Sequence, residues 1–411
     1  MNTQQPAHDQ RNVRLVYLFG FLMEFALWAG IWIKYLIQTR GFELKWILAM
    51  DLPFWLLVAL LQAPTGALAD HIGRKRVLAL SGVLFSATIL GFGLAENYWM
   101  LFFDYVLWAF AQSLRSGADS ALVFDSLKRA GKEGTFRRFA SRSFAIQLTS
   151  GFIAVALGGV LADWGGLALI VQVSAIAPLL AAGVALAMYE PKVSREERHY
   201  WKGLSDGLHF AWGNPQVRYT IMIGAVLLTG TFGPVVLIQP FLIHRHVGTA
   251  LFGLYQAPLR LTTIAAALLS VWVGRRTQTG RIVSTACLAI IACYIGLGLF
   301  DTNAAFVFFA LPSLVAGLTR PIVDAHLNER IPSEQRATVL STMQLVFSLQ
   351  VAFFEPALGF FADGISLTAA FLFAAAYFVV AMPPLLFLWH RAHGLVAAPG
   401  PAPAVAESGG T

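Results

Sequence analysis

Several ionisable side chains stand inside stretches otherwise made of apolar residues. Glu24 lies near the middle of 13–36, Asp51 within 44–69, Arg115 within 99–126, and Arg260 within 251–273. Arg320 and Asp324 lie within 305–328, and Glu355 within 337–362. A charge in hydrocarbon is costly unless it is paired or wetted, so each such residue is read first as a site in search of a partner. The chemistry open to these types is binding a charged solute, exchanging a proton, or forming a static ion network. Glu24 suits a cationic solute or a proton, the reading favoured for an intramembrane carboxylate; the alternative is a structural pair with Arg115 or another internal base. Counted at ~1.5 Å per residue, Asp51, Arg260 and Glu355 share one level, ~10–14 Å below one membrane surface, and Asp104 joins it from the outer part of 99–126. No P-loop, nucleophile triad or metal-ligand spacing occurs, so ATP hydrolysis and enzyme chemistry have no support and no cofactor is expected. His244 and His246 flank Arg245 and read as a solvated loop rather than a metal site.

The elements that hold these residues are written in the composition. Of 411 residues, 57% are hydrophobic and 12% charged, and the mean hydropathy is +0.66. That is far from a soluble domain. Twelve apolar runs can be drawn, at 13–36, 44–69, 77–95, 99–126, 139–162, 167–189, 219–242, 251–273, 282–300, 305–328, 337–362 and 368–390. Each approaches the ~20 residues a helix needs to span a bilayer. The net charge of +7 comes from cations between the runs. They gather in alternate loops, and this asymmetry predicts both termini in the cytoplasm, with no nucleic-acid partner. The first run lacks a cleavage site and reads as an uncleaved span. Cys287 and Cys293 share one apolar run and read as buried thiols.

The connection between the second and third runs, Pro64 to Arg76, is the most specific stretch. Gly66 removes a side chain where a neighbouring helix would approach closely. Asp70 at the membrane face needs a cation or a helix N-terminus. Gly73 suits the positive φ of a tight reversal. Arg74, Lys75 and Arg76 hold the loop against anionic headgroups. The pattern Gly66-x-x-x-Asp70-x-x-Gly73-Arg74-Lys75-Arg76 resembles the signature loop of the major facilitator superfamily. The resemblance implies an all-α polytopic membrane protein, twelve transmembrane helices in two six-helix bundles. It also implies a latch of Asp70, Arg74 and Asp125 that stabilises the outward-facing state.

Internal echoes agree with two related halves. Arg115 and Asp119 are spaced i,i+4, as are Arg320 and Asp324. Gly159-Val160-Leu161-Ala162-Asp163 is echoed by Gly359-Phe360-Phe361-Ala362-Asp363. The superfamily's cavity is lined by spans one, four, seven and ten, so the resemblance places Glu24, Trp28 and Trp32, Trp108, and Gln239 around a solute. Its packing of spans two with eleven and eight with five predicts an Arg260–Glu355 pair with Asp51 opposite. That cluster would break or form as the outer gate opens, and one of its carboxylates would carry a coupling proton. The antiporter motif of span five is incomplete: Ala154-Val155 stands where Gly-Pro is usual, and only Gly158-Gly159 remains. The span-four arginine is also off-pattern, with Arg115 two residues before Gly117 rather than four.

The resulting organisation is an N-terminal bundle at 1–189, a cytoplasmic linker at 190–218 and a C-terminal bundle at 219–393. The linker carries an amphipathic helix through Trp201, Leu204, Leu208 and Ala211, and a disordered tail covers 394–411. The function this implies is a drug-exporter-like secondary transporter in the bacterial inner membrane. It would be a monomer that exchanges protons for small lipophilic or cationic compounds by alternating access. An importer or uniporter of a small metabolite and a non-transporting membrane sensor or scaffold are the alternatives.

Overall fold

A computed structural model describes residues 5–129, 131–190, 208–332 and 335–394. The expected amphipathic helix falls largely, and the tail almost wholly, outside them. The described chain is helical with no strand. The first half contains α1 (Gln5–Glu24), α2 (Trp32–Gln38), α3 (Leu44–Ala49), α4 (Asp51–Ile72) and α5 (Arg74–Leu94). It continues with α6 (Tyr98–Arg115), α7 (Ala118–Arg129), α8 (Phe136–Gly165), α9 (Leu167–Val173) and α10 (Ile176–Leu186). The second half contains α11 (Pro215–His244), α12 (Thr249–Arg276), α13 (Thr279–Leu299), α14 (Ala310–Asn328), α15 (Arg336–Gly364) and α16 (Leu367–Gly394). Among the described residues, eleven stretches are long and apolar enough to cross a bilayer. The fourth expected run falls short as one helix. It is broken at Ser116–Gly117, where Gly117 has φ of +76°, and runs as α6 followed by α7.

Local chemistry explains the ends. Asn214 caps α11, its side chain accepting from the backbone N–H of Gln216 and Val217, and Pro215 starts the helix with its fixed φ. Gly73 alone separates α4 from α5, with φ of +96°, a value that glycine adopts without steric cost. The N–H that Pro53 lacks would have bonded Ala49, and the second run opens at Met50, between α3 and α4.

The first run is not one continuous helix. It opens after Glu24 into a single 3₁₀ turn, Leu27–Gly30, before α2 begins. Open backbone at membrane depth must find partners in protein, and they come mostly from the other half. Gln239 Oε1 accepts from Ile33 N at 3.0 Å and Lys34 N at 3.2 Å, and Gln239 Nε2 donates to Ala29 O at 3.2 Å. Gln256 Nε2 donates to Gly30 O at 2.8 Å. Ser174 Oγ accepts from Trp28 N at 3.1 Å. Gly158 leaves the room this segment occupies, since a Cβ there would run into the Leu27 carbonyl.

The halves meet along two seams at the face away from the chain ends. In one, α8 lies on α12: Gly253 faces the Val155 carbonyl and Gly159 faces the Thr249 carbonyl, with no room for a Cβ at either. In the other, α15 lies on α3 and α4: Gly359 faces Lys45 and Leu44. There Asp363 accepts from Lys45 N at 2.7 Å. The sequence echo is thus used in the same way twice, each glycine forming a close seam with the opposite half. Buried apolar packing follows the same division. One large cluster joins residues of both halves, among them Ile31, Leu48, Leu237 and Phe252. The cluster with Val16, Val77, Leu122 and Met188 belongs to the first half alone. That with Val217, Ile221, Leu327 and Val339 belongs to the second half alone. The halves are therefore joined at the distal face and cored separately toward the face carrying the chain ends.

Candidate functional site

Two adjoining chambers lie between the halves. The first, about 380 Å³, is walled by α1, the 3₁₀ turn, α4, α6 and α8 and includes Glu24, Trp28, Trp32, Trp108 and Arg115. The second, about 500 Å³, is walled by α11, α12, α14 and α15 and includes Arg320 and Asp324. Ala29, Trp55, Phe232, Val235 and Arg260 belong to both walls. Aromatic rings interlock around the first chamber. Trp28 and Trp108 meet edge-on with centroids 5.7 Å apart, Phe54 and Trp108 are 4.9 Å apart, and Trp55 and Phe232 are 5.7 Å apart. Such edge and tilted contacts fix ring positions and leave flat apolar faces for a ligand.

Glu24 and Arg115 form an ion pair, Arg115 Nη2 donating to Glu24 Oε1 at 2.8 Å. Arg115 thus turns away from Asp119, whose carboxylate instead accepts from Ser120 N. The i,i+4 echo is consequently not a structural one. Arg115 and Asp119 straddle the break at Gly117, whereas Arg320 and Asp324 sit within the single helix α14.

The expected Arg260–Glu355 pair is not formed. Glu355 instead stands beside Asp51 and Trp55, and both acids line the first chamber; Asp51 Oδ2 and Glu355 Oε1 are buried with no hydrogen-bond partner among the described residues. Asp51 is 8% exposed and Glu355 1%. Arg260 instead lies beside Gly151 of α8, with Glu24 the carboxylate whose charge it feels. Depth and the span packing implied by the resemblance placed these three residues together; helix rotation separated the arginine from the acids. At the two acids, α4 of one half meets α15 of the other at the closed side of the cavity. Tyr105 lies among Asp51, Asp104 and Glu355, and Tyr294 lies near Glu355. Asp104 faces α5, where Gly91 leaves room for its carboxyl group.

Gln239 is not a chamber wall. It is 2% exposed and is consumed by the backbone of the opened first run. No sequence pattern announces that use; Gln256, which shares it, was likewise missed.

At the face carrying the chain ends, Arg74 of α5 and Asp125 of α7 are ion-paired. The Asp70 side chain lies outside the described ones. Among the described residues, no atom lies within 4 Å of a Cβ added at Gly66. Glu190 was missed. Its carboxylate accepts from Arg74 N at 3.0 Å and Lys75 N at 2.7 Å, capping α5 where the helix dipole favours negative charge. Lys75 Nζ donates to the Leu186 and Met188 carbonyls at the end of α10. The paired and capped residues all belong to the first half, so this cluster braces one bundle. Cys287 and Cys293 are buried free thiols, as expected, and no metal-holding cluster occurs among the described residues.

Two helical bundles with a cavity between them, sealed at one end by cross-bundle glycine seams, define a polytopic membrane protein of the transporter class. The chain belongs to the major facilitator superfamily, whose model, Major Facilitator Superfamily, matches residues 14–349. Its fold is similar to a bacterial homologue of the human lysosomal transporter Spinster, in an inward-facing and unoccupied conformation. The identity is 16% and the TM-score 0.75, over 97% of this chain and 100% of that one. It is also similar to the nucleoside transporter NupG, at 15% identity and TM-score 0.72 over 96% of this chain and 99% of that one. A third likeness is to a POT family transporter in complex with 5-aminolevulinic acid. There the identity is 13% and the TM-score 0.71, over 93% of this chain and 96% of that one. At these identities the likeness is one of fold. No curated protein sequence matches.

Proposed function

We propose that the protein is a proton-coupled secondary transporter that exports small lipophilic compounds by alternating access. It would act as a monomer in a bacterial inner membrane, with both termini in the cytoplasm. The observation that carries this reading is the Asp51–Glu355 contact. It crosses between the halves, it is closed off from the distal face, and it borders the chamber. A proton carried by either acid lets the two sit together, and its loss leaves two carboxylates side by side in a low-dielectric site, whose repulsion drives the halves apart there. Proton release and opening of the distal gate are then one event. Tyr105 and Tyr294 are the other titratable groups facing this pair, with Asp104 on the far side of Tyr105 toward α5.

The aromatic walls support a lipophilic solute. They support a cationic one less well, because Arg115 and Arg260 both attend the single carboxylate of Glu24. The test is solute flux in proteoliposomes under an imposed pH gradient, over a panel of lipophilic compounds. An antiporter accumulates solute in an acidic lumen as protons leave. Accumulation only with an alkaline lumen marks a symporting importer, and flux indifferent to the gradient removes proton coupling.

A further inference from the structure

Arg260 is the cation at the wall common to both chambers. It makes no hydrogen bond or ion pair among the described residues; its one electrostatic neighbour is Glu24. Glu24 already holds Arg115 at 2.8 Å. Two guanidinium groups therefore share one carboxylate. The other charges of the cavity do not redress this. Arg320 and Asp324 stand one turn apart on α14 and offset each other, and Asp51 and Glu355, elsewhere on the wall of the first chamber, do not pair with Arg260. A partly buried guanidinium that must share its only counter-charge with a second guanidinium is held at a cost, and an arriving anion removes it.

The position of the group is built. Gly151 is the residue of α8 against which it lies, and a Cβ there would come 2.6 Å from Nη1. A larger residue would push the guanidinium out of the junction. The planar fork of an arginine matches the two oxygens of a carboxylate. Next to it, Trp55 and Phe232 stand edge to face on the same shared wall, with Trp28 and Trp108 beyond. Chambers of about 380 and 500 Å³ accommodate a molecule of one or two rings.

We infer that the cavity binds a small planar aromatic monocarboxylate, its carboxylate forked by Arg260 and its ring against the tryptophan wall. This deepens the transport reading and rests on the same cavity being the solute path. Binding is measured separately from transport, so the two can fail independently. The experiment is calorimetric titration of the detergent-purified full chain with three probes of one shape: naphthalene-2-carboxylate, naphthalene-2-carboxamide and 2-naphthylmethylammonium. The carboxylate is expected to bind best, by at least about tenfold over the amide. Arg260→Gln should weaken the carboxylate about ten- to hundredfold, the scale of a charge-assisted hydrogen bond, and leave the amide unchanged. The unchanged amide shows that the site is still folded. Arg260→Lys, a point charge without the fork, should retain part of the preference. Three results overturn the proposal: equal or tighter binding of the ammonium probe, an unaltered carboxylate affinity in Arg260→Gln, or no carboxylate binding at millimolar concentration. Gradient-driven flux failing while Arg260-dependent binding persists would overturn the transport reading alone.

Discussion

Gln239 of α11 and Ile33 of α2 are joined across the two halves by a side-chain-to-backbone hydrogen bond of 3.0 Å. The same amide serves Lys34 N and Ala29 O. The opened first run of one bundle is thus stitched by a glutamine of the other. Gln239→Leu leaves two N–H groups and one carbonyl unsatisfied at depth, and should lower stability by about 1–3 kcal/mol. Thermal unfolding in detergent checks this. Gln239→Glu, which keeps the acceptor for both N–H groups, should lose less.

Asp51→Asn and Glu355→Gln keep shape and remove one titrating group each. Both should retain downhill exchange of solute while losing accumulation driven by a pH gradient. Comparing counterflow with gradient-driven flux in the same vesicles separates the two effects. Gradient-driven accumulation equal to the native protein in both variants would exclude the pair as the coupling site.

Glu24→Gln leaves Arg115 without its counter-charge at a half-wetted site. Gradient-driven flux should fall at least tenfold, with the protein still monodisperse on size exclusion. Charge reversal of the pair, Glu24→Arg with Arg115→Glu, should restore folding stability but not flux if Glu24 acts on solute or proton. Restored flux would make it a structural pair only.

Gly253 faces the Val155 carbonyl and leaves no room for a side chain. Gly253→Leu should wedge the distal seam open and shift the population toward the distal-open state. Labelling of Thr249→Cys by a membrane-impermeant maleimide should then rise several-fold when the single changes are combined. The native thiols lie buried and give a low background.

Glu190 accepts from two backbone N–H groups at the start of α5. Glu190→Ala should cost about 1 kcal/mol, the scale of a lost helix cap. A melting curve at low ionic strength should show the difference, while Glu190→Asp or Glu190→Gln retains part of it.

Fold class was legible in the chain because apolar run length and the distribution of cations between runs are local quantities. Each is set by the bilayer acting on one segment at a time. The turn at Gly73 and the buried thiols were legible for the same reason, as was the repeated small-residue end at Gly159 and Gly359. The pairing of charges was not. Arg260 and Glu355 share a depth, yet contact depends on helix rotation about the axis, and that is decided by packing against every neighbour. The break after Glu24 carries no proline or glycine at its opening. It exists because Gln239, Gln256 and Ser174, between about 145 and 230 residues distant in sequence, satisfy the freed backbone. Sequence by itself determined that this chain crosses a membrane as two related bundles with acids and arginines inside. Tertiary structure decided which of them meet, because hydrogen bonds and ion pairs depend on ångström distances between segments that the order of residues leaves free.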